Sequence, residues 1–487
     1  MTYSKLLRPS LLIILILFIY SIWQRVPDID DAWIGEHAYW MSQKGFVKSE
    51  LMHGITLQQE KHLVHHKFFT LNGLAFIKAF GFSLYTLKSV SLFWVCIFLL
   101  CFFFYTKKKI GRNAAWFGIV LLAVNALIFQ YSFVYRPEIL VMTLGFSSFI
   151  FLERYLENDK RVNVVLSGFL AGVATAGHLN GLIFVGAGVI LLLWKRKPVA
   201  SVIMGCASLL GIALYFYDFT AQHNFAFWFY QINDSPAFHN SKAFPDSIGY
   251  LLKILREHMR FFHSPKEIVL SLLFIFSIVL NFRKLWANTI YLHYFFLLVI
   301  LLSLITVHST SKYLLLYLPL IILIIIKSLK YNYIEYRQQE SVSRKQSRQW
   351  IMFLALTGLY FSVNMIYNVL ISVEKYDPER NRAYTEKYFP AHENTTLLAP
   401  MTFIFNELPL YERIQGDLSI DEMYKSGAIN NKSFFDVVDS LQIDAMILTE
   451  EYLKKFGLNL LEANELKEEG FELIGKEDGL SFYKRID

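Results

Sequence analysis

Residues Pro27 to Trp40 read Pro-Asp-Ile-Asp-Asp-Ala-Trp-Ile-Gly-Glu-His-Ala-Tyr-Trp and follow directly on the first long apolar run of the chain. Ionised carboxylates are strongly disfavoured in the bilayer core. Asp28, Asp30 and Asp31 therefore lie in water or in a polar site at a membrane face. Such a site suits an enzyme with one lipid substrate and one soluble substrate, where a carboxylate can take a proton from an attacking hydroxyl. The plainer reading is that Asp30 or Asp31 caps the helix running through Tyr39.

Four further positions have the residue types to join such a site. In Tyr135-Arg136-Pro137-Glu138, proline suits a first helical turn and Glu138 is favoured there by the helix dipole. Arg136 and Glu138 form either a local ion pair or an acid and a base facing the same cavity as Asp30. His178 lies in the tight turn His178-Leu179-Asn180-Gly181, which needs polar groups in any case. Lys312-Tyr313 stands at a helix end, where a lysine snorkels to the interface or binds a phosphate. His62, His65, His66 and Lys67 cluster ahead of a short apolar segment, in a spacing that fits no familiar metal site.

The elements that position these residues follow from composition. The 487-residue chain is 55% hydrophobic, 17% aromatic and only 18% charged, with repeated apolar runs. Runs of roughly 20 apolar residues mark membrane helices. The formal charge of +7 divides unevenly: residues 375–487 carry −9, leaving +16 on the membrane part. A basic excess confined to membrane loops is an orientation signal and gives no reason to expect nucleic-acid binding. Cys96, Cys101 and Cys206 all fall inside apolar runs and offer neither a disulfide framework nor a zinc spacing.

Eleven runs qualify as spans: Leu7–Trp23, Lys88–Tyr105, Ala114–Ser132, Ile139–Leu152, Val162–Gly177, Leu179–Trp194, Val199–Tyr217, Ile268–Phe282, Ala287–Thr306, Tyr313–Ile326 and Trp350–Ser372. The first has no small-residue cleavage site after it and reads as an uncleaved anchor. With the N-terminus in the cytoplasm, every basic loop cluster falls inside, Lys107-Lys108-Lys109 and the stretch 327–348 included. The odd count then places the C-terminal segment outside. Residues 1–374 form the membrane domain, with external excursions at 26–87 and 218–266. The first carries surface helices, Phe68–Phe80 among them, and the second is aromatic enough to cover the site. Residues 375–487 read as a small soluble α/β domain with a partly parallel sheet, with strands at Thr396–Ala399, Ala445–Thr449 and Leu480–Tyr483 and a helix at Phe434–Leu441. The fold class is thus an all-α polytopic bundle with a C-terminal α/β appendage.

In this arrangement the chain resembles the membrane glycosyltransferases of the C-type fold, the group that includes protein O-mannosyltransferases and lipid A aminoarabinose transferases. The resemblance covers roughly Leu7 to Pro319. Asp30-Asp31 and Tyr39 stand where the family has Asp-Glu and a tyrosine, and Gly45 matches the glycine closing the first surface helix. The family's Lys-Pro-Pro-Leu-Tyr-Tyr helix ending in Phe-Gly is similar to His65-His66-Lys67-Phe68-Phe69 through Phe80-Gly81. Counting back from Gly81 sets His65 at the family lysine, whereas residue type favours Lys67. Arg136-Pro137-Glu138 resembles the Arg-Pro-Glu of the second external loop, and Lys312-Tyr313 through Leu318-Pro319 the late Lys-Tyr…Leu-Pro segment. Asp31 replaces the commoner glutamate and the double proline is absent.

The resemblance implies a hexosyl- or pentosyltransferase of the inner (plasma) membrane. It would use a sugar carried on a polyprenyl phosphate and an extracytoplasmic lipid, glycan or protein acceptor. Asp30, with Asp31 as nearest substitute, would be the base. His65, Lys67, Arg136, Lys312 and Tyr313 would bind the donor phosphate, and Glu36, Tyr39, Glu138 and His178 would support the site or touch substrate. A divalent cation, if the chemistry uses one, would fall to Asp30 and Glu138. The competing classes are a transporter or flippase, which would favour ionisable groups at the midplane, and a non-catalytic partner in envelope polysaccharide assembly.

Overall fold

The computed structural model describes residues 4–221, 223–235, 247–306, 309–338, 344–389, 394–427, 429 and 431–486. The membrane part opens with α1 (Ser4–Ser21), α2 (Ile29–Lys44), α3 (Lys67–Phe80), α4 (Leu84–Lys109), α5 (Arg112–Val124), α6 (Ala126–Tyr131) and α7 (Glu138–Asn158). It continues through α8 (Arg161–Gly177), α9 (Leu182–Trp194), α10 (Pro198–Ile212), α11 (His223–Asn233), α12 (Ser247–Arg256) and α13 (His258–Phe261). The last membrane helices are α14 (Pro265–Asn288), α15 (Tyr291–Ile305), α16 (Leu318–Gln338) and α17 (Arg344–Ser372). Among the described residues five helices are long and apolar enough to cross a membrane, α4, α7, α10 with its 3-10 extension, α14 and α17. Their outward faces, such as Leu100 and Phe104 on α4 or Leu209 and Leu210 on α10, are bare in the isolated chain and suit contact with lipid.

The expected spans each hold helix, but several are interrupted. The run 114–132 breaks at Asn125, whose side chain accepts from the N–H groups of Leu127 and Ile128 and so restarts the chain as α6. A break among apolar helices leaves backbone groups that lipid cannot satisfy. Here α17 supplies partners: Asn364 accepts from the Ala126 N–H, Asn368 donates to the Val124 carbonyl, and Tyr360 donates to the Leu121 carbonyl. The run 313–326 begins as a 3-10 turn, Ser311–Leu316, before α16 takes over.

The first loop, 26–87, is ordered by caps. Asp28, rather than Asp30 or Asp31, is the N-cap of α2: it accepts from Asp30 N–H while Asp31 accepts from the Asp28 N–H. Gly45 ends the helix at φ +78°, a left-handed conformation suited to glycine. Gln231 of α11 locks this loop to the second one, accepting from Leu63 N–H and donating to the carbonyls of Thr56 and Lys61.

Beyond α17 five strands form one sheet: β1 (Thr396–Ala399), β2 (Arg413–Gly416), β3 (Ala445–Thr449), β4 (Phe471–Glu477) and β5 (Leu480–Arg485). Their order is β2-β1-β3-β5-β4, with the first three parallel and the β3–β5 and β5–β4 pairs antiparallel. Asp478 and Gly479, both at positive φ, make the tight β4–β5 turn. The sheet rests on the first loop. Gly416 donates to the Leu51 carbonyl at 3.0 Å and Gln415 to the His53 carbonyl at 3.0 Å. A Cβ at Gly416 would stand 3.0 Å from the Leu51 carbonyl oxygen, tighter than ordinary contact, so glycine suits this approach.

Candidate active site

The site is assembled at the end of the bundle where α2 begins, from four helix ends. Asp30 lies in the first turn of α2 with about a quarter of its side chain exposed. Arg136 precedes α7, and its guanidinium is shared between two carboxylates. It pairs with Asp30 and donates to Glu138 through Nε at 3.1 Å and Nη2 at 2.7 Å. Lys312 Nζ stands 4.0 Å from Asp30 Oδ2. Burial opposes Arg136's charge, but Glu138 holds its pKa above the ordinary value; Lys312, also desolvated and facing Arg136, is shifted down.

Two imidazoles complete the wall. His66 stacks on His178 with ring centroids 4.6 Å apart and 16° between planes, and Tyr313 meets His178 edge-on at 5.8 Å. The His178 turn is set by its own Nδ1, which accepts from Asn180 N–H at 3.0 Å. Burial lowers His66 to about 4 and His178 to about 3, so both rings are neutral near pH 7. Neutral imidazole can both donate and accept, as sugar hydroxyls require.

Lys67 and His65 belong to a second node. Both grip Asp218, Lys67 Nζ at 2.6 Å and His65 Nε2 at 3.3 Å. Lys67 is fully buried beside Tyr215, Tyr217 and Phe219, and burial lowers its pKa to about 8 while Asp218 pulls it upward. Asp218 was legible only as a loop boundary. His66, read only within the histidine cluster, is the ring of that cluster stacked on His178 beside Tyr313. The signal that separates it from His65 and Lys67 is its place as the residue immediately before α3.

The two neighbouring aspartates diverge. Asp31 is fully buried, pairs with Lys88 at 3.3 Å and accepts from the N–H groups of Tyr135 and Asp28. Its oxygens are taken up by the fold, which leaves Asp30 as the partly open carboxylate. Glu36 and Tyr39 face away from this cluster. Glu36 is buried and accepts from Trp40, Ser49 and the N–H groups of Glu50 and Leu51. Tyr39 packs on Phe82 at 4.8 Å. Between Asp30 and Glu138, the place a divalent ion would take is occupied by the Arg136 guanidinium. Among the described residues no group of three or more His, Cys, Asp or Glu side chains is placed to hold a metal.

Glu36 gives a pH prediction. Burial pushes its carboxyl up to about 7 from an ordinary 4.5, against four hydrogen-bond donors that lower it. A folded value above the unfolded one means stability that is full below pH 4.5 and lost as pH rises to about 7. The melting temperature of the purified protein should fall across that window, and Glu36→Gln should flatten the fall. An equally steep profile in the variant would assign the titration to another group.

Residues 73–217 match the family model described as dolichyl-phosphate-mannose-protein mannosyltransferase. No curated protein matches the chain. Among solved structures, ArnT from Cupriavidus metallidurans in the apo state is similar at TM-score 0.62 and 11% identity, covering 99% of this chain and 97% of that one. The same protein bound to undecaprenyl phosphate gives TM-score 0.59 at 11% identity, with the same coverage. The archaeal oligosaccharyltransferase AglB from Archaeoglobus fulgidus, in complex with an inhibitory peptide and a dolichol-phosphate, gives 0.53 at 11% identity over 98% of this chain and 74% of that one. The chain has the C-type glycosyltransferase fold of these proteins, and its residues 73–217 carry the dolichyl-phosphate-mannose-protein mannosyltransferase pattern.

Proposed function

We propose that the protein is an integral-membrane glycosyltransferase that moves a sugar from a polyprenyl-phosphate carrier to a hydroxyl of an acceptor outside the plasma membrane. The observation that carries this reading is the meeting of one partly open carboxylate, Asp30, with two cations, Arg136 and Lys312, within this fold. The relatives solved with undecaprenyl phosphate and dolichol-phosphate support a lipid phosphate as the carrier.

In the proposed reaction the acceptor oxygen attacks the anomeric carbon and the bond from that carbon to the phosphate oxygen breaks. Asp30 takes the hydroxyl proton. The phosphate leaves with the bonding electrons, and Arg136 and Lys312 offset its charge. Without substrate, Arg136 is occupied by Asp30 and Glu138; a donor phosphate would draw it off Asp30 and free that carboxylate for its proton. One displacement inverts the anomeric centre. Lys67 and His65 sit on Asp218 and would act by fixing α3 and the second loop around the donor. Residues 375–487, docked on the first loop, would recognise the acceptor or stabilise that loop.

Polyprenyl phosphate, the leaving product, tests the cation assignment. It should bind the purified protein, and Lys312→Gln should weaken binding by about tenfold, a typical charge-assisted contact. Unchanged binding in Lys312→Gln would remove Lys312 from the phosphate site.

The orientation is tested separately. Cysteines at Lys44 and Lys432 should react with an impermeant thiol reagent in intact cells, and one at Lys108 should not. Labelling at Lys108 alone would reverse the chain in the membrane.

A further inference from the structure

At the opposite end of the bundle, where the basic loops gather, the α4–α5 turn, α16 and the start of α17 enclose a half-open cavity of about 320 Å³. Its wall is of two kinds. Phe117, Ile326, Leu329 and Trp350 line it with apolar and aromatic surface. Arg112 and Lys330 supply two cations, and among the described residues no acidic side chain lines the space. Lys330 reaches across from α16 to donate to the Ile110 carbonyl at 2.7 Å, which fixes the turn and holds its charge at the cavity. Arg112 is solvent-exposed at the first position of α5. The Asp30 site lies at the other end of the same helices, so neither the donor nor the acceptor of the proposed reaction accounts for this cavity.

A half-open cavity in a membrane bundle whose lining combines apolar side chains, a tryptophan and two cations matches one ligand chemistry: an acyl chain joined to a negatively charged headgroup. A soluble anion would leave Phe117, Ile326 and Leu329 uncovered. A zwitterionic lipid would bring a cationic group against Arg112 and Lys330. We propose that this cavity is a binding site for an anionic phospholipid of the leaflet facing the basic loops. The bound lipid would bridge α5 to α16 and α17. Through α5 it would also brace the helix break at Asn125, which α17 holds by Asn364 and Asn368.

The test uses the full-length protein, purified in neutral detergent and examined by native mass spectrometry with phosphatidylglycerol and phosphatidylcholine at equal concentration. Wild type should retain phosphatidylglycerol over phosphatidylcholine by about tenfold, the scale expected from two cations near a headgroup. Arg112→Gln and the double variant Arg112→Gln/Lys330→Met should bring the two lipids toward parity. Lys108→Gln, which removes an exposed cation outside the cavity, should keep the preference. Melting curves without added lipid establish that each variant is folded; should the double variant fail to fold, Arg112→Gln alone decides. Equal retention of both lipids by wild type would overturn the proposal. So would an equal loss in Lys108→Gln, which would reduce the effect to general charge. Selective displacement of phosphatidylglycerol by polyprenyl phosphate would give the cavity to that carrier and also overturn it.

Discussion

Asp30→Asn should lower kcat about 10²–10⁴-fold, the usual cost of removing a general base, with little change in affinity for polyprenyl phosphate. Asparagine keeps the shape of aspartate and can still accept a hydrogen bond from Arg136, but it takes no proton at neutral pH. The N-cap of α2 is Asp28, so the substitution leaves the helix cap intact. Asp30 is also partly open to solvent, so the variant should melt near the wild-type temperature. A variant that turns over at the wild-type rate would show that Asp30 is only a partner for Arg136. Glu138 would then be the next carboxylate to test.

The neighbouring substitution should do the reverse. Asp31→Ala leaves Lys88 buried without its carboxylate and strips an acceptor from the N–H groups of Asp28 and Tyr135. Breaking a buried pair from one side costs about 3–5 kcal/mol. Burial raises the Asp31 pKa while Lys88 and the two N–H groups lower it, so the fold depends on this balance. A large drop in melting temperature is expected in detergent, with turnover per folded molecule falling far less than in Asp30→Asn. Should Asp31→Ala melt as wild type does yet lose all turnover, the base would shift by one residue.

The contrast shows what could be read from the chain alone. Hydropathy marks the spans because lipid imposes length and composition on every helix that crosses it. It could not show the break at Asn125, since one asparagine in an apolar run is tolerated; the side chains that satisfy the backbone freed there, Asn364 on Ala126 and Asn368 on Val124, lie some 240 residues away. β1 and β3 are legible as buried apolar runs. β2, with Arg413 and Gln415, and β4, exposed or half-buried beyond Phe471, carry no such pattern. At the site, residue types singled out Asp30, Arg136, Glu138, His178, Lys312 and Tyr313, all of which the fold brings to one end. Type could not assign Asp30 and Asp31 to different environments, because a helix start turns adjacent side chains in different directions. Nor could it join Lys67 to Asp218, a partner 151 residues on.

The most direct test of sugar transfer from a lipid carrier is mass spectrometry of the carrier itself. Lipid-linked sugars extracted from the host membrane would be incubated with purified wild-type protein and an acceptor fraction from the same envelope. One polyprenyl-phosphate sugar should disappear as free polyprenyl phosphate forms in equal amount, with its sugar mass appearing on the acceptor, and Asp30→Asn should abolish all three changes. If the lipid-linked sugar instead crosses a liposome bilayer unaltered, with no polyprenyl phosphate released, the protein moves the carrier and transfers nothing.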